Sequence, residues 1–261
     1  HNPVRIAEDT ATVDQISNGR FELGVGLGYR REEFEDQGIS HTERGARLQE
    51  GIAVVQRLLS GESVTLDGKF SKLKNIQIVP PALQRPHPPL WLGAIAPKAI
   101  ERAARMGFHF QAVGSTALDK IYDEALVKHG RDPRHFNIAQ LRAVFVAPSR
   151  EQAWELAAKP LHYMATCYAK WFAEAADKPG DEKAMEGMPT VDEMIKKQAF
   201  SFFGEDAIVG TPKDAIEMID DYRKRGRLTH MVCATALPGL APHNVRDSMA
   251  LFAREVIPRF R

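Results

Sequence analysis

Short apolar runs alternate along the chain with amphipathic segments whose apolar residues recur every three or four positions. The apolar runs predict strands at residues 21–25, 90–94, 109–113, 138–146 and 229–235. A strand followed by a helix, five times over, is typical of parallel strands joined by right-handed crossovers. Because five units do not close an eight-stranded barrel, the pattern predicts either an open doubly wound sheet or part of a barrel.

The amphipathic segments carry start and stop signals for helices. The helices are predicted at residues 3–17, 42–60, 97–107, 118–129, 212–225 and 244–256. Pro97 suits a first helical turn, and Ser149 with Gln152 has the spacing of a capping box at the start of a further helix. We therefore expect a helix after each strand.

Two stretches interrupt this alternation. Apolar and polar residues alternate over residues of about 61–80, on both sides of Asp67-Gly68, which predicts a hairpin excursion. A proline-rich connector follows this hairpin. Residues of about 160–205 lack a clear period and are predicted to be an insertion with helical pieces. We expect one α/β domain over 1–261 that carries both excursions.

Composition excludes several classes of function. The 261 residues carry a net charge of +1 without a run of five Lys or Arg, so the basic stripe of a nucleic-acid binder is absent. Cys167 and Cys233 lie far apart in sequence, which predicts neither a disulfide framework nor a zinc site and favours a cytoplasmic protein. No apolar run reaches the length of a membrane span. Metal-binding histidine spacings, a P-loop and a G-x-S-x-G nucleophile motif are missing from the sequence.

Alternate glycines end the first predicted strand, at Gly24, Gly26 and Gly28. The dinucleotide fingerprint G-x-G-x-x-G fails here, because the third glycine comes one residue early. Without a Cβ, a strand end allows the backbone to approach a flat group closely. The alternative is a bend required only by packing. A second candidate is the loop of small residues from Gly93 to Lys98, where a helix N-terminus is suited to a phosphate or is simply an ordinary connection.

The sequence resembles the luciferase-like flavin-dependent oxidoreductases, a family that includes bacterial luciferase and deazaflavin-dependent enzymes. Four stretches carry the resemblance: HNPVRIAEDTATVDQISNGRFELGVGLGYRREEFEDQG, ESVTLDGKFSKLKNIQIVPPALQRPHPPLWLGAIAPKAIERAARMG, VGTPKDAIEMIDDYRKRG and the final strand with FAREVIP. They cover most of residues 1–110 and 207–261. The resemblance implies a (β/α)8 TIM barrel in which FELGV is the fourth strand, so we expect an N-terminally incomplete member that lacks its first three strands.

The resemblance also implies which residues hold the cofactor. Gly26, Leu27, Gly28 and Tyr29 match the strand end that faces the flavin ring, and Gly93, Ala94, Ile95, Ala96 and Lys98 match the loop that holds its phosphate. Bacterial luciferase has a cysteine in place of Gly26 and an arginine in place of Leu27, so a luciferase reaction proper is not implied. The family's active-site histidine lies on an early strand, and no catalytic acid or base is assigned in this chain.

The activity implied by the resemblance is that of a monooxygenase using reduced FMN and oxygen on a small organic substrate. A separate flavin reductase and a homodimer are the partners it suggests. The alternatives are a coenzyme F420-dependent oxidoreductase that transfers hydride and a non-catalytic flavin-binding barrel relative. Aromatic residues in the insertion predict a lid over an apolar or aromatic substrate: Trp171, Phe200, Phe202 and Phe203.

Overall fold

The computed structural model of the protein describes residues 1–175, 187–202 and 204–260. The chain forms two compact units, His1–Gly93 and Ala94–Arg261. In each unit, parallel strands alternate with helices along the sequence, so the fold belongs to the predicted α/β class.

The first unit pairs two parallel strands and adds a hairpin. Its elements are α1 (Pro3–Ile16), β1 (Leu23–Gly26), α2 (Arg31–Glu35), α3 (Arg44–Leu59), β2 (Val64–Asp67), β3 (Lys72–Ile76) and β4 (Leu90–Ala94). Strand β1 runs parallel to β4 with Leu23 opposite Leu90. Strand β1 begins two residues later than the predicted 21–25 and extends to Gly26, whereas the hairpin and the bounds of β4 agree with the sequence prediction.

The second unit is built around strand β6. Its elements are α4 (Pro97–Met106), β5 (His109–Ala112), α5 (Ala117–Lys128), β6 (Ile138–Val146), α6 (Arg150–Ala175), α7 (Val191–Lys197), β7 (Ser201–Phe202), β8 (Glu205–Asp206), β9 (Ile208–Gly210), α8 (Pro212–Arg225), β10 (His230–Ala234) and α9 (Pro242–Glu255). Strand β6 pairs in parallel with β5, β10 and β9. The short strands β7, β8 and β9 were not predicted, because two or three residues carry too little periodicity to show.

Helix α6 is longer than its sequence predicts. Irregular structure is expected from residue 160, yet one helix runs from Arg150 to Ala175 through Pro160. Its start is capped as predicted, since the Gln152 amide donates to Ser149 Oγ at 3.2 Å. An interior proline costs a helix about 3 kcal/mol, and the burial of one face offsets that cost: Ala153, Trp154, Ala157, Leu161 and Ala165. Phe203 and residues 176–186, which include part of the predicted lid, lie outside the described residues.

A buried carboxylate joins the proline-rich connector to helix α1. Asp14 has no exposed surface, and one of its oxygens accepts from the backbone amides of Leu83 and Gln84 at 2.7 and 2.9 Å. The Gln84 side-chain amide donates to the other oxygen at 2.7 Å and to the Phe21 carbonyl at 2.6 Å. Because Phe21 leads into β1 and the connector leads into β4, this network sets where both strands begin.

Replacing Asp14 with alanine is expected to lower the free energy of unfolding by about 3 kcal/mol, because three donors lose a buried charged acceptor. Urea unfolding measures the change. Asp9→Ala, which removes an exposed carboxylate of the same helix, should change it by less than about 0.5 kcal/mol. Equal losses in the two variants would contradict the role given to Asp14.

A second buried carboxylate lies in the second unit, on helix α5. Asp119 is 2% exposed, and its Oδ1 accepts from Gln140 Nε2 at 2.8 Å. Burial raises the pKa of Asp119 from 3.8 to about 6; Asp123 nearby also raises it, while Gln140 and Arg227 oppose the shift. The folded protein therefore holds this proton more tightly than the unfolded chain, so the stability it contributes is present below pH 3.8 and is lost as the pH rises through 6.

The variant Asp119→Asn is expected to be more stable than the unmodified protein above pH 7, by up to about 3 kcal/mol, and to match it near pH 4. Thermal unfolding between pH 4 and 8 tests this. Asp123→Asn should instead be destabilising at pH 7, since Asp123 accepts from Arg227 Nη2 at 2.6 Å and from its Nε at 3.0 Å. A stability difference between Asp119→Asn and the unmodified protein that does not vary with pH would show that the Asp119 proton is not linked to folding.

Candidate functional site

The carboxyl ends of β1 and β4 bring two glycines side by side. Gly26 lies opposite Gly93 at the last register position of this parallel pair. The carboxyl ends of parallel strands are where α/β folds place their ligands. Two neighbouring positions without side chains therefore leave exposed backbone at the edge where a ligand is expected.

The glycines of the run 24–28 differ in what requires them. Gly28 has φ of +77°, and a Cβ there would lie 3.0 Å from Phe34 Cζ, so the turn itself explains this residue. Gly26 has no positive φ, and a Cβ added to it would meet no atom within 4 Å. Within the described residues, neither packing nor backbone conformation requires a glycine at position 26. The open space beside it fits a flat group in contact with the backbone.

A cavity of about 830 Å³ runs along this strand within the first unit. Residues 23–28 form one wall, and helix α3 and the β2–β3 hairpin supply others. Much of the lining is apolar: Leu23, Val25, Leu48, Ile52, Val55 and Leu73. A volume of this size accommodates a cofactor-sized ligand.

Cations outnumber acids in the lining of this cavity. Arg44, Arg47 and Lys72 line it, with Glu33 as the acid. Arg47 pairs with Glu43 at 3.2 Å and lies 4.4 Å from the centre of the Phe70 ring. Lys69 and, to a smaller extent, Arg47 hold the pKa of Glu43 below its usual value. Lys72 pairs with Asp67.

Arg44 differs from these two cations in its partners. Its Nη1 donates to the His41 carbonyl at 2.9 Å and lies 2.7 Å from His41 Nδ1. No ion pair within the described ranges 1–175, 187–202 and 204–260 includes Arg44. The cavity therefore contains a guanidinium whose charge is not balanced by a paired carboxylate.

The small-residue loop opens helix α4 at the start of the second unit. Ala96 is the N-cap residue in extended conformation and provides no side-chain cap, and Pro97 follows it. Ile95 and Lys98 are exposed. The helix thus begins with backbone amides that no side chain of its own N-cap satisfies, which is the geometry that suits a phosphate.

The structure brings together part of the residue set predicted from sequence. Gly26, Leu27 and Gly28 line the cavity, and Gly93 adjoins Gly26 through the strand pairing. Tyr29 is half-buried and follows the lining run, while residues 94–98 belong to the loop before α4.

Sequence reasoning missed the cations of helix α3. The signal that was available is the spacing of Arg44, Arg47 and Gly51, which places them on one helical face beside the apolar stripe. In the part of the chain that the structure describes, no group of three or more His, Cys, Asp or Glu side chains is arranged to hold a metal ion. Nor does that part contain a helix long and apolar enough to cross a membrane.

Comparison with known proteins identifies relatives over the whole chain. The chain is 25% identical to the oxygenase component of the flavin-dependent trigonelline monooxygenase of Acinetobacter baylyi, over 99% of this chain and 73% of the relative. A monooxygenase from Streptomyces bottropensis superposes with a TM-score of 0.79 at 25% identity, over 100% of this chain and 75% of that one. An F420-dependent secondary alcohol dehydrogenase, solved with an F420–acetone adduct, superposes with a TM-score of 0.77 at 23% identity, over 100% and 76%.

These similarities confirm the predicted fold class, the luciferase-like type of TIM barrel. The chain spans about three quarters of the length of each of the three proteins. A family model described as luciferase-like monooxygenase matches residues 1–229, and the chain therefore belongs to the luciferase-like monooxygenase family.

Proposed function

We propose that this protein is the oxygenase component of a flavin-dependent monooxygenase, which uses reduced FMN and oxygen on a small organic substrate. The observation that carries the proposal is the pairing of Gly26 with Gly93 beside open space at the carboxyl ends of adjacent strands. A flat ring resting on this backbone would be in van der Waals contact with it. The reduced flavin supplies the electrons for oxygen activation.

The chain's own residues would bind and shield this ring. The apolar lining of the cavity, with Leu48, Ile52 and Val55 of helix α3, excludes water from one side. The glycines have no side chains that would block the flavin ring, and Leu27 provides an apolar contact at the strand end. Excluding water in this way favours reaction of the reduced cofactor with a substrate over side reactions that consume its electrons without product.

The phosphate of FMN would bind in the loop from Gly93 to Lys98. Because Ala96 has no capping side chain and Pro97 has no N–H, the Lys98 amide is the donor of the first turn of α4 proposed for the phosphate, while the Ala99 amide donates to the Ala96 carbonyl at 2.9 Å. The helix dipole favours an anion there. Lys98, in the first turn, adds a positive charge. Backbone donors carry most of this site, since Ala94, Ile95 and Ala96 have no polar side-chain atoms.

Similarity to a flavin-dependent monooxygenase supports a flavin, here proposed to be FMN, over coenzyme F420. The trigonelline monooxygenase is called flavin-dependent and an oxygenase component, which supports a separate reductase that delivers reduced flavin. The F420-dependent dehydrogenase shares the fold at 23% identity, so F420-dependent hydride transfer is the second candidate. A homodimer and a cytoplasmic location remain predictions from the family resemblance.

The aromatic residues predicted to form a substrate lid lie near one another in the second unit. Tyr168 of α6 packs against Trp171 and Phe202, with ring centres 5.3 and 5.8 Å apart. Phe200 stacks on Phe202 at 6.4 Å. This cluster supports an apolar or aromatic class of substrate.

Replacing Gly26 with valine is expected to weaken FMN binding by tenfold or more, because the new side chain occupies the space proposed for the ring, while Gly26→Ala has a smaller effect. Fluorescence titration with FMN measures both affinities. Since a Cβ at position 26 meets no protein atom within 4 Å, thermal stability should change little. Unaltered FMN affinity in Gly26→Val would refute the ring site.

The protein is expected to bind reduced FMN and to increase oxygen consumption when a flavin reductase and NADH are supplied, but not to oxidise reduced F420. Absorbance spectra under anaerobic conditions, followed by admission of oxygen, separate the two cofactors. Tight binding of F420 together with failure to bind FMN would favour the dehydrogenase alternative instead.

A further inference from the structure

We infer that Arg44 binds the carboxylate of the substrate, so that the substrate class is a small aromatic or other cyclic acid. The identity of the reaction in this inference rests on the proposed function. The anion site itself is argued from the cavity of the first unit. Every residue that it uses lies in that unit.

The guanidinium of Arg44 is held in place from one side. Its Nη1 is fixed by the carbonyl and ring of His41, and His41 is only 8% exposed. The His41 ring meets the Phe34 ring edge-on, with centres 5.2 Å apart, and Phe34 lines the same cavity. The arginine is thereby oriented before any ligand arrives, which reduces the entropy lost on binding.

The other side of the guanidinium remains available. Within the described residues, neither Nε nor Nη2 of Arg44 donates a hydrogen bond. These two groups point in parallel and match the two oxygens of a carboxylate. A carboxylate bound there would form two charge-assisted hydrogen bonds at the wall of an otherwise largely apolar cavity.

Among the Arg and Lys side chains that line the cavity in the part of the chain that the structure describes, Arg44 is the one without an acidic partner. Arg47 is paired with Glu43, and Lys72 with Asp67. Glu33, the acid in the lining, is paired with Arg30 at 3.2 Å. An anionic ligand would therefore be attracted to Arg44 without breaking an existing ion pair.

The anion is assigned to the substrate because the proposed function already provides a separate place for the phosphate of FMN, before helix α4. Besides the α3 residues proposed to shield the flavin ring, Phe70 and Leu73 of the hairpin give the same cavity an apolar wall. An apolar ring beside that wall, with its carboxylate on Arg44, satisfies both parts of the lining.

Benzoate and its neutral isostere benzamide test the inference by titration calorimetry. The unmodified protein should prefer benzoate, and Arg44→Gln should weaken benzoate binding by about tenfold to a hundredfold while leaving benzamide binding unchanged. Arg47→Gln is the matched control, since it removes the same charge from the same helix and cavity, and it should weaken benzoate binding by less than threefold. Arg44→Lys should restore part of the preference.

Three results would overturn the inference. One is the absence of a benzoate preference in the unmodified protein, and another is equal loss in the two glutamine variants. The third is an Arg44→Gln variant that loses affinity for FMN but not for riboflavin, which would assign the anion to the flavin phosphate. If neither the unmodified protein nor any variant binds FMN while the benzoate preference still depends on Arg44, the proposed function fails and the anion site stands. Unchanged melting temperatures verify that each variant is folded.

Discussion

The first unit depends on the buried carboxylate of Asp14. A carboxyl group without exposed surface is costly unless its oxygens are hydrogen-bonded, and the Leu83 and Gln84 amides donate to one of them. The connector contains several prolines, which cannot donate backbone hydrogen bonds, so it has few other ways of being held in place. Through Gln84 and the Phe21 carbonyl, the same network reaches the chain that enters β1. One side chain of helix α1 thus determines where two neighbouring strands start.

This arrangement separates stability from ligand binding along the strands. The Asp14 network holds the amino-terminal ends of β1 and β4, and the Leu23 amide adds a bond to the Pro89 carbonyl at 2.9 Å. The register fixed there carries Gly26 and Gly93 to the same level at the opposite ends. Because the strands are already fixed at one end, the other end is able to consist of glycine and remain open. Anchoring at the amino-terminal ends is therefore compatible with bare backbone at the carboxyl ends.

The elements with strong local signals were predictable from sequence, and the long-range contacts were not. Continuous apolar runs gave β4 and β6 with their observed bounds. The prediction ended β1 at Val25 because glycine has little strand propensity, whereas pairing with β4 extends the strand to Gly26. Pro160 suggested a break that the burial of Leu161 and Ala165 overrides. The glycine site was found from its spacing, but Arg44 was not. Its contact with His41 and that of Arg47 with Glu43 are local, three and four residues apart, but the cavity that both arginines line with β1 and the hairpin forms only in the folded chain.

The division between backbone and side chains also bears on specificity. Glycine backbone presents amide donors and carbonyl acceptors but no charge and no side chain at the strand end. Charge selection in this cavity comes from Glu33 of α2, from the first turns of α3 and from the hairpin, where Arg44 and Lys72 lie. Helix α3 begins shortly after the segment that follows α2, and β2 and β3 are joined by a turn. Such connecting segments vary more readily than the strands beside them. A family that keeps the glycine strand end and changes these loops would retain a flat cofactor while it exchanges substrates.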